Sequence, residues 1–403
     1  MGVVCVLYAI SCAPPIGDAL DRALLLLCVV VVVQLVPLPG LVSSETIRVR
    51  AALSLSPALE PGWGPLTIDV AQTAWAAIEL VGAVALFVAV RDRFASGGIR
   101  RAVRAIAIIG LAVSALAIAQ SATAGRSIYW LFETEHEGPL PLGPFVNRNH
   151  FATWAIMVIP LCLGYVAAHA QVHRSPGQET SGSISAALSR IAWLIAAITL
   201  LSVALVISLS RSAAAGLGVS GLITLFAVRS VLEPSQRRRL LVATAVLLIL
   251  AMSWTDASAV RDKVAGSTID FEHRTRIWRE SLPIVRDFLP SGTGAGTYEL
   301  AMRVYQQSDR RVYFNQAHNH YLQLLVEGGL LLTIPFVLAA VAFVRVARQR
   351  LGADRSGMRW VRAGAACGLG AVAIQSIWET GLVMSANATL AAVLAAIVVH
   401  ERR

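Results

Sequence analysis

Residues 317–345 read AHNHYLQLLVEGGLLLTIPFVLAAVAFVR, a polar start built on two histidines and an asparagine that runs into a long apolar stretch. A helix needs roughly 20 mainly apolar residues to cross a bilayer, and segment 320–345 has that length. Comparable runs lie near residues 21–39, 70–90, 102–121, 150–169, 191–209, 213–229, 240–255, 361–378 and 382–400. Several are rich in Ala, Val and Leu with no strong hydrophobic face, as expected of helices that meet lipid or a bundle core. The pattern predicts an all-α polytopic membrane protein with about 10–11 transmembrane helices.

Composition agrees. The 403 residues are 56% hydrophobic and 14% charged, with a mean hydropathy of +0.66, whereas a soluble domain carries about 25% charged residues. The net charge of +10 would point to nucleic acid in a soluble protein. Here loop charge that fixes orientation explains it, and no nucleic-acid partner is expected. Lys263 is the only lysine, so the fixed cations are otherwise arginines. Codon bias accounts for this as well as a guanidinium preference for phosphate does. Cys5, Cys12, Cys28, Cys162 and Cys367 all fall in apolar stretches, with no CxxC pair and no histidine at ligand spacing. They read as small packing residues.

Loop charge sets the topology. Arg91, Arg93, Arg100, Arg101 and Arg104 share one connection. Arg229, Arg237, Arg238 and Arg239 share another, and Arg345, Arg348, Arg350, Arg355, Arg359 and Arg362 a third. These alternate with the polar 170–190 loop and the Glu-Arg-Arg tail, so they define the cytoplasmic side. Connections 40–69, 122–149, the turn at Arg211, 255–319 and the turn near Glu379 then face outward. The expected organisation is an apolar N-terminal segment over 1–20 and transmembrane helices over 21–254. A large periplasmic loop over 255–319 and C-terminal transmembrane helices over 320–403 follow. Within segment 1–20 the apolar run Met1 to Ile16 is short for a span and interrupted by Pro14-Pro15, and no basic region precedes it as in a secretory peptide.

An outer loop of this length calls for a function or a subdomain of its own. Helical patches are expected at Thr275–Phe288 and Tyr298–Gln307, separated by a breaker that contains Gly292, Gly294 and Gly296. Those glycines resemble a phosphate cradle, but no strand precedes them and no Lys-Ser/Thr pair follows. A turn that needs positive φ is the simpler reading. Arg274, Arg276 and Arg279 are either a solvated face partnered by Glu272 and Glu280 or a clamp for an anionic group. On a helix Arg276 and Arg279 share a face, whereas Arg274 and Arg276 do not.

Ionisable residues at the ends of spans are the candidate site. Arg211 sits between two apolar helices with almost no loop, where it either snorkels to headgroups or holds a phosphate. A neutral imidazole at His318 can accept a proton from a hydroxyl. Asn319 follows it, and Glu327 lies nine residues beyond His318. At about 100° per residue Glu327 falls on the opposite face, so it braces another helix rather than touching His318. Asn147, Arg148, Asn149 and His150 begin the span at 150–169, with Asn149 the expected helix cap. The Glu133, Glu135, His136, Glu137 group has no standard metal spacing, and no metal or other cofactor is expected.

The stretches GPFVNRNHFA at 143–152, SLSRS at 208–212, RTRIW at 274–278, GTGAG at 292–296 and His318-Asn319 through Glu327-x-Gly329 resemble, in order, the O-antigen ligase and O-antigen polymerase superfamily. The resemblance covers most of the chain from about residue 21. It implies a GT-C-like bundle that moves a glycan from a polyprenyl diphosphate carrier to an acceptor hydroxyl of a glycan or glycolipid. The site would face the periplasm from the bacterial inner membrane. By position Arg211 and Arg274, with Arg276 beside them, match diphosphate-contacting arginines, and His318 the essential histidine. Leu332 stands where the ligase pattern has a small residue, and Trp378-Glu379-Thr380 where polymerases often carry an aspartate. Both activities therefore stay open.

The chemistry is consistent with that reading. A diphosphate is an activated leaving group whose developing charge arginines neutralise, and attack opposite to it inverts the anomeric carbon. The topology would let Arg211, Arg274 and His318 meet. The competing class is a transporter or flippase for an anionic lipid-linked saccharide or other anionic solute. That class does not readily account for a long arginine-bearing outer loop, and no hydropathy repeat is visible.

Overall fold

The computed structural model describes residues 19–55, 63–124, 127–133, 142–172, 181–228, 267–308, 310 and 314–401. The expected span at 240–255, the segment before residue 19 and the arginines at 229–239 lie outside the described residues. Through the described residues run α1 (Ala19–Leu35), α2 (Ser44–Ala52), α3 (Val70–Ala95), α4 (Ile99–Thr123), α5 (Arg148–Val172) and α6 (Ser181–Ile207). They are followed by α7 (Arg211–Val228), α8 (Ser267–Asp287), α9 (Tyr298–Tyr305), α10 (His320–Ala353), α11 (Met358–Gln375) and α12 (Ser385–Val399). Two short antiparallel pairs are the only paired strands among these residues. One is β1 (Leu38–Pro39) with β2 (Trp63–Gly64), the other β3 (Ser127–Ile128) with β4 (Phe132–Glu133).

The protein is thus an all-α polytopic membrane protein, and nine of the ten expected apolar segments fall on helices. By length and apolar composition α3, α4, residues Arg148–His169 of α5 and α10 are sufficient to cross a membrane. The apolar stretches Ala192–Ile207 of α6 and Ser385–Val399 of α12 are shorter. The 17 residues of α1 and the 15 of α12 rise about 26 and 23 Å, below the roughly 30 Å of a hydrocarbon core. Helix α11 carries Arg359 and Arg362 in its first two turns.

Two units interleave along the chain. The first comprises Met1–Ala89, Val264–Val346 and Ser376–Thr380, the second Val90–Lys263, Ala347–Gln375 and Gly381–Arg403. In the first, Ile277 and Ile284 of α8 share one helical face and are buried with Phe288 just beyond it, Tyr298, Ala301 and Met302 of α9 and Val49 of α2. Both expected patches of the loop are therefore helices, closed by their own apolar core. A second cluster joins Leu27, Val30 and Val31 of α1 to Ala77 of α3 and Leu332 and Ala339 of α10.

Helix α10 is broken inside the first unit. Gly329 takes φ 54° and ψ −154°, a conformation that only glycine adopts without strain. The freed main chain is satisfied by the glycine turn before α9. Thr293 N donates to Val326 O at 2.9 Å, Gly294 N to Glu327 O at 2.9 Å, and Leu330 N to Leu289 O at 2.8 Å. Gln34 of α1 closes the arrangement. Its amide nitrogen donates to Ser291 O at 2.8 Å and Glu327 O at 3.0 Å, and its Oε1 accepts from Ala295 N at 3.1 Å. Non-helical backbone at membrane depth needs such internal partners. The positive φ of Gly292, Gly294 and Gly296 marks this segment as the turn expected of it.

The second unit is built on α5, most of whose apolar window is buried. Glycines let α11 approach α5 and α7. A Cβ at Gly164 would strike Trp360 O, one at Gly364 would strike Pro160 O, and one at Gly216 would lie 2.5 Å from Ala371 O. Such close backbone approach drives helix association in lipid, where no hydrophobic effect does so. Ser220 Oγ adds a bond to Cys367 O at 2.6 Å.

Candidate active site

The site in the first unit is assembled around one turn, residues 376–380. Glu379, only 2% exposed, accepts from Arg274 Nη2 at 2.6 Å, and its other oxygen lies 3.7 Å from His318 Nδ1. An acid, a base and a cation thus meet from three distant stretches of chain. The buried carboxylate is balanced by the guanidinium, as a buried charge must be. The 3.7 Å separation is electrostatic contact rather than a hydrogen bond, and His318 Nδ1 is buried with no hydrogen-bond partner.

The backbone around His318 is held on every side. Trp278, one turn along α8 from Arg274, donates its Nε1 to Ala317 O at 2.9 Å. Thr380 Oγ1 bonds Gln316 Oε1 at 2.5 Å, and His320 N donates to Ser376 O at 2.8 Å. Asn319 caps α10 by accepting from Tyr321 N at 3.1 Å and Leu322 N at 3.0 Å. These restraints hold His318 at φ 47°, a left-handed conformation uncommon for a residue with a Cβ. Strain of this kind at a titratable residue points to function.

Glu327 braces a neighbouring helix, as its helical phase predicts. Its carboxylate accepts from Gly296 N at 2.9 Å and Tyr298 N at 3.2 Å at the start of α9, and from Gln323 Nε2 at 3.1 Å. A carboxylate at a helix N-terminus is favoured by the orphan N–H groups there. Arg276 and Arg279 are exposed on α8, whereas Arg274 is half-buried against Glu379. The expected partner Glu280 instead accepts from Gln307 N at 2.9 Å.

The remaining candidates lie in the second unit. Asn147, rather than Asn149, caps α5, with its Oδ1 accepting from Asn149 N at 2.8 Å. The side chain two residues upstream is the one placed to reach that N–H. Asn149 O accepts from Thr153 Oγ1 at 2.9 Å, and the carbonyl of His150 accepts from Asn387 Nδ2 at 3.1 Å. Arg148 is half-buried as the first residue of α5. Arg211 is exposed at the first position of α7, after a turn in which Leu209 has φ 51°. Of the acidic group near 133–137, Glu133 ends β4 and the rest lies outside the described residues.

Sequence reasoning missed Glu379 as a site residue. Its signal was a lone carboxylate in a tight turn between two apolar segments, the pattern that marked Arg211.

No curated protein matches the chain. The family model described as O-antigen ligase matches residues 195–337, a stretch that includes Arg211, Arg274, His318, Asn319 and Glu327 and leaves out Asn147–His150 and Glu379. Through that match, and the order of its polar residues, the chain resembles the O-antigen ligase and O-antigen polymerase superfamily.

Proposed function

We propose that this membrane protein is a glycan ligase or polymerase that transfers a glycan from a polyprenyl diphosphate carrier to an acceptor hydroxyl, at the periplasmic face of the bacterial inner membrane. The observation that carries the reading is the Arg274–Glu379–His318 cluster, in which an imidazole is backed by a carboxylate and flanked by a guanidinium. His318 takes the acceptor proton as the acceptor oxygen bonds the anomeric carbon. The bond from that carbon to the phosphate oxygen breaks, and its electron pair leaves with the diphosphate. Glu379 stabilises by its charge the imidazolium that forms, as a carboxylate does behind a catalytic histidine. Arg274 uses one of its five N–H donors on Glu379, and its others face the charge that develops on the leaving diphosphate. By resemblance Arg211 is a diphosphate-contacting arginine. Attack opposite the leaving group inverts the anomeric centre and needs no metal ion.

The test is transfer from a lipid-linked donor in membranes, run beside uptake of the same donor. His318→Ala and Arg211→Ala variants that insert correctly lose transfer. Normal polymer from either variant overturns the assignment. In a deletion strain, lipid-linked single repeats identify a polymerase and full-length polymer left on its carrier a ligase.

A further inference from the structure

A cavity of about 310 Å³ opens in the second unit at the connection between α3 and α4. It is lined by Arg93, Arg100 and Arg101, with Phe94, Met358 and His400 among its other walls and no carboxylate in the lining among the described residues. The arginines of this unit differ in what they do. Arg350 holds Glu401 at 2.7 Å, and Arg362 holds Asp354 at 3.0 Å. Arg100 and Arg101 have no ion-pair partner among the described residues, and Arg93 bonds only neutral oxygens of its own loop, Ser96 Oγ at 2.9 Å and Gly97 O at 3.2 Å. The His400 ring lies between Ile397 O at 2.9 Å and the Arg362 guanidinium at 3.1 Å.

Loop charge that fixes orientation requires arginines in the connection, not a walled cavity that three of them share. The first turn of α4 adds to the field, because its cap Gly98 has no side chain to satisfy the leading N–H groups. Phe94, Ile99 and Met358 give the same cavity an apolar part. The flanking helices α3 and α4 are both long and apolar enough to cross a membrane, so their connection lies at a membrane surface.

We propose that this cavity binds the phosphate of an anionic phospholipid, with the headgroup phosphate on Arg100 and Arg101 and the glycerol end against Phe94 and Met358. Guanidinium forks suit phosphate oxygens, and membrane-surface arginines attract anionic lipid. The site is separate from the proposed transfer chemistry and stands whether or not that reading holds.

The experiment uses the full chain in nanodiscs of phosphatidylcholine doped with phosphatidylglycerol, with lipid retention on mild extraction read by native mass spectrometry. Wild type retains phosphatidylglycerol over phosphatidylcholine. The Arg100→Gln/Arg101→Gln variant retains it roughly fivefold less per arginine removed, whereas Arg355→Gln, an exposed arginine outside the cavity, is unchanged. Equal loss in Arg355→Gln, or retention unaltered in the double variant, overturns the proposal. A parallel arm titrates inorganic phosphate into the same phosphatidylglycerol-doped nanodiscs. Displacement of phosphatidylglycerol by millimolar phosphate in wild type but not in the double variant assigns the site to a soluble phosphate and refutes the lipid.

Discussion

Replacing Glu379 by glutamine removes a charge and nearly keeps the shape. The lost carboxylate oxygen lies 3.7 Å from His318 Nδ1. At an effective dielectric of about 20, a unit charge at that distance stabilises an imidazolium by about 4 kcal/mol. Arg274, at 2.6 Å from the other oxygen, opposes the imidazolium and offsets about half of that. The remaining ~2 kcal/mol belongs to the transition state, where the proton has moved to His318, and corresponds to a roughly 30-fold fall in kcat. The assay is glycan transfer by purified protein from a lipid-linked donor, with kcat and donor KM measured separately and folding checked by thermal unfolding. Wild-type KM with reduced kcat is expected, and Glu379→Asp recovers part of the rate. A correctly folded Glu379→Gln enzyme within twofold of wild-type kcat refutes the placement of Glu379 behind a catalytic histidine.

Three further outcomes follow from packing and charge. Gly329→Ala forces a Cβ into a φ of 54° and to 2.5 Å from Gly292 N and Leu289 O, which destabilises the first unit by about 3–5 kcal/mol and shows as a lower unfolding temperature in detergent. Glu327→Ala leaves the N–H groups of Gly296 and Tyr298 without their acceptor at a cost of about 3 kcal/mol, read the same way. Burial pushes the Asp354 carboxyl up, but donors from Ser356 and Arg362 outweigh it and hold it below the usual aspartate range. That stability is present above the ordinary aspartate value near 3.9 and is lost as pH falls from there through the lower folded value. Asp354→Asn therefore flattens the acid limb of a melting-temperature profile, and an unchanged limb disproves the pairing.

The apolar runs carry most of the fold because period and length are local properties. The helices over 275–288 and 298–307, the turn at Arg211 and the bracing role of Glu327 could all be read from spacing. The break at Gly329 could not, since Leu330, Leu331 and Leu332 continue the apolar run without interruption. What breaks the helix is a glycine turn more than thirty residues earlier in the chain, which offers better partners for the main chain. The pairing of Arg274 was hidden for a similar reason. Glu272 and Glu280 lie beside it in sequence, while its partner Glu379 is 105 residues away. Asn149 was taken as a cap from its position next to the span, and only the observed first turn shows that Asn147 fills that place.

Gln34 also bears on how the chain is made. Its partners Ser291 and Glu327 lie 257 and 293 residues downstream. At the usual synthesis rate of about 5–20 residues per second, they emerge on the order of 15 to 60 seconds after Gln34. Throughout that interval α1 carries a primary amide in an apolar helix with none of its final bonds. The first unit therefore closes late in biogenesis, and a chain truncated before residue 291 leaves α1 as a quality-control signal.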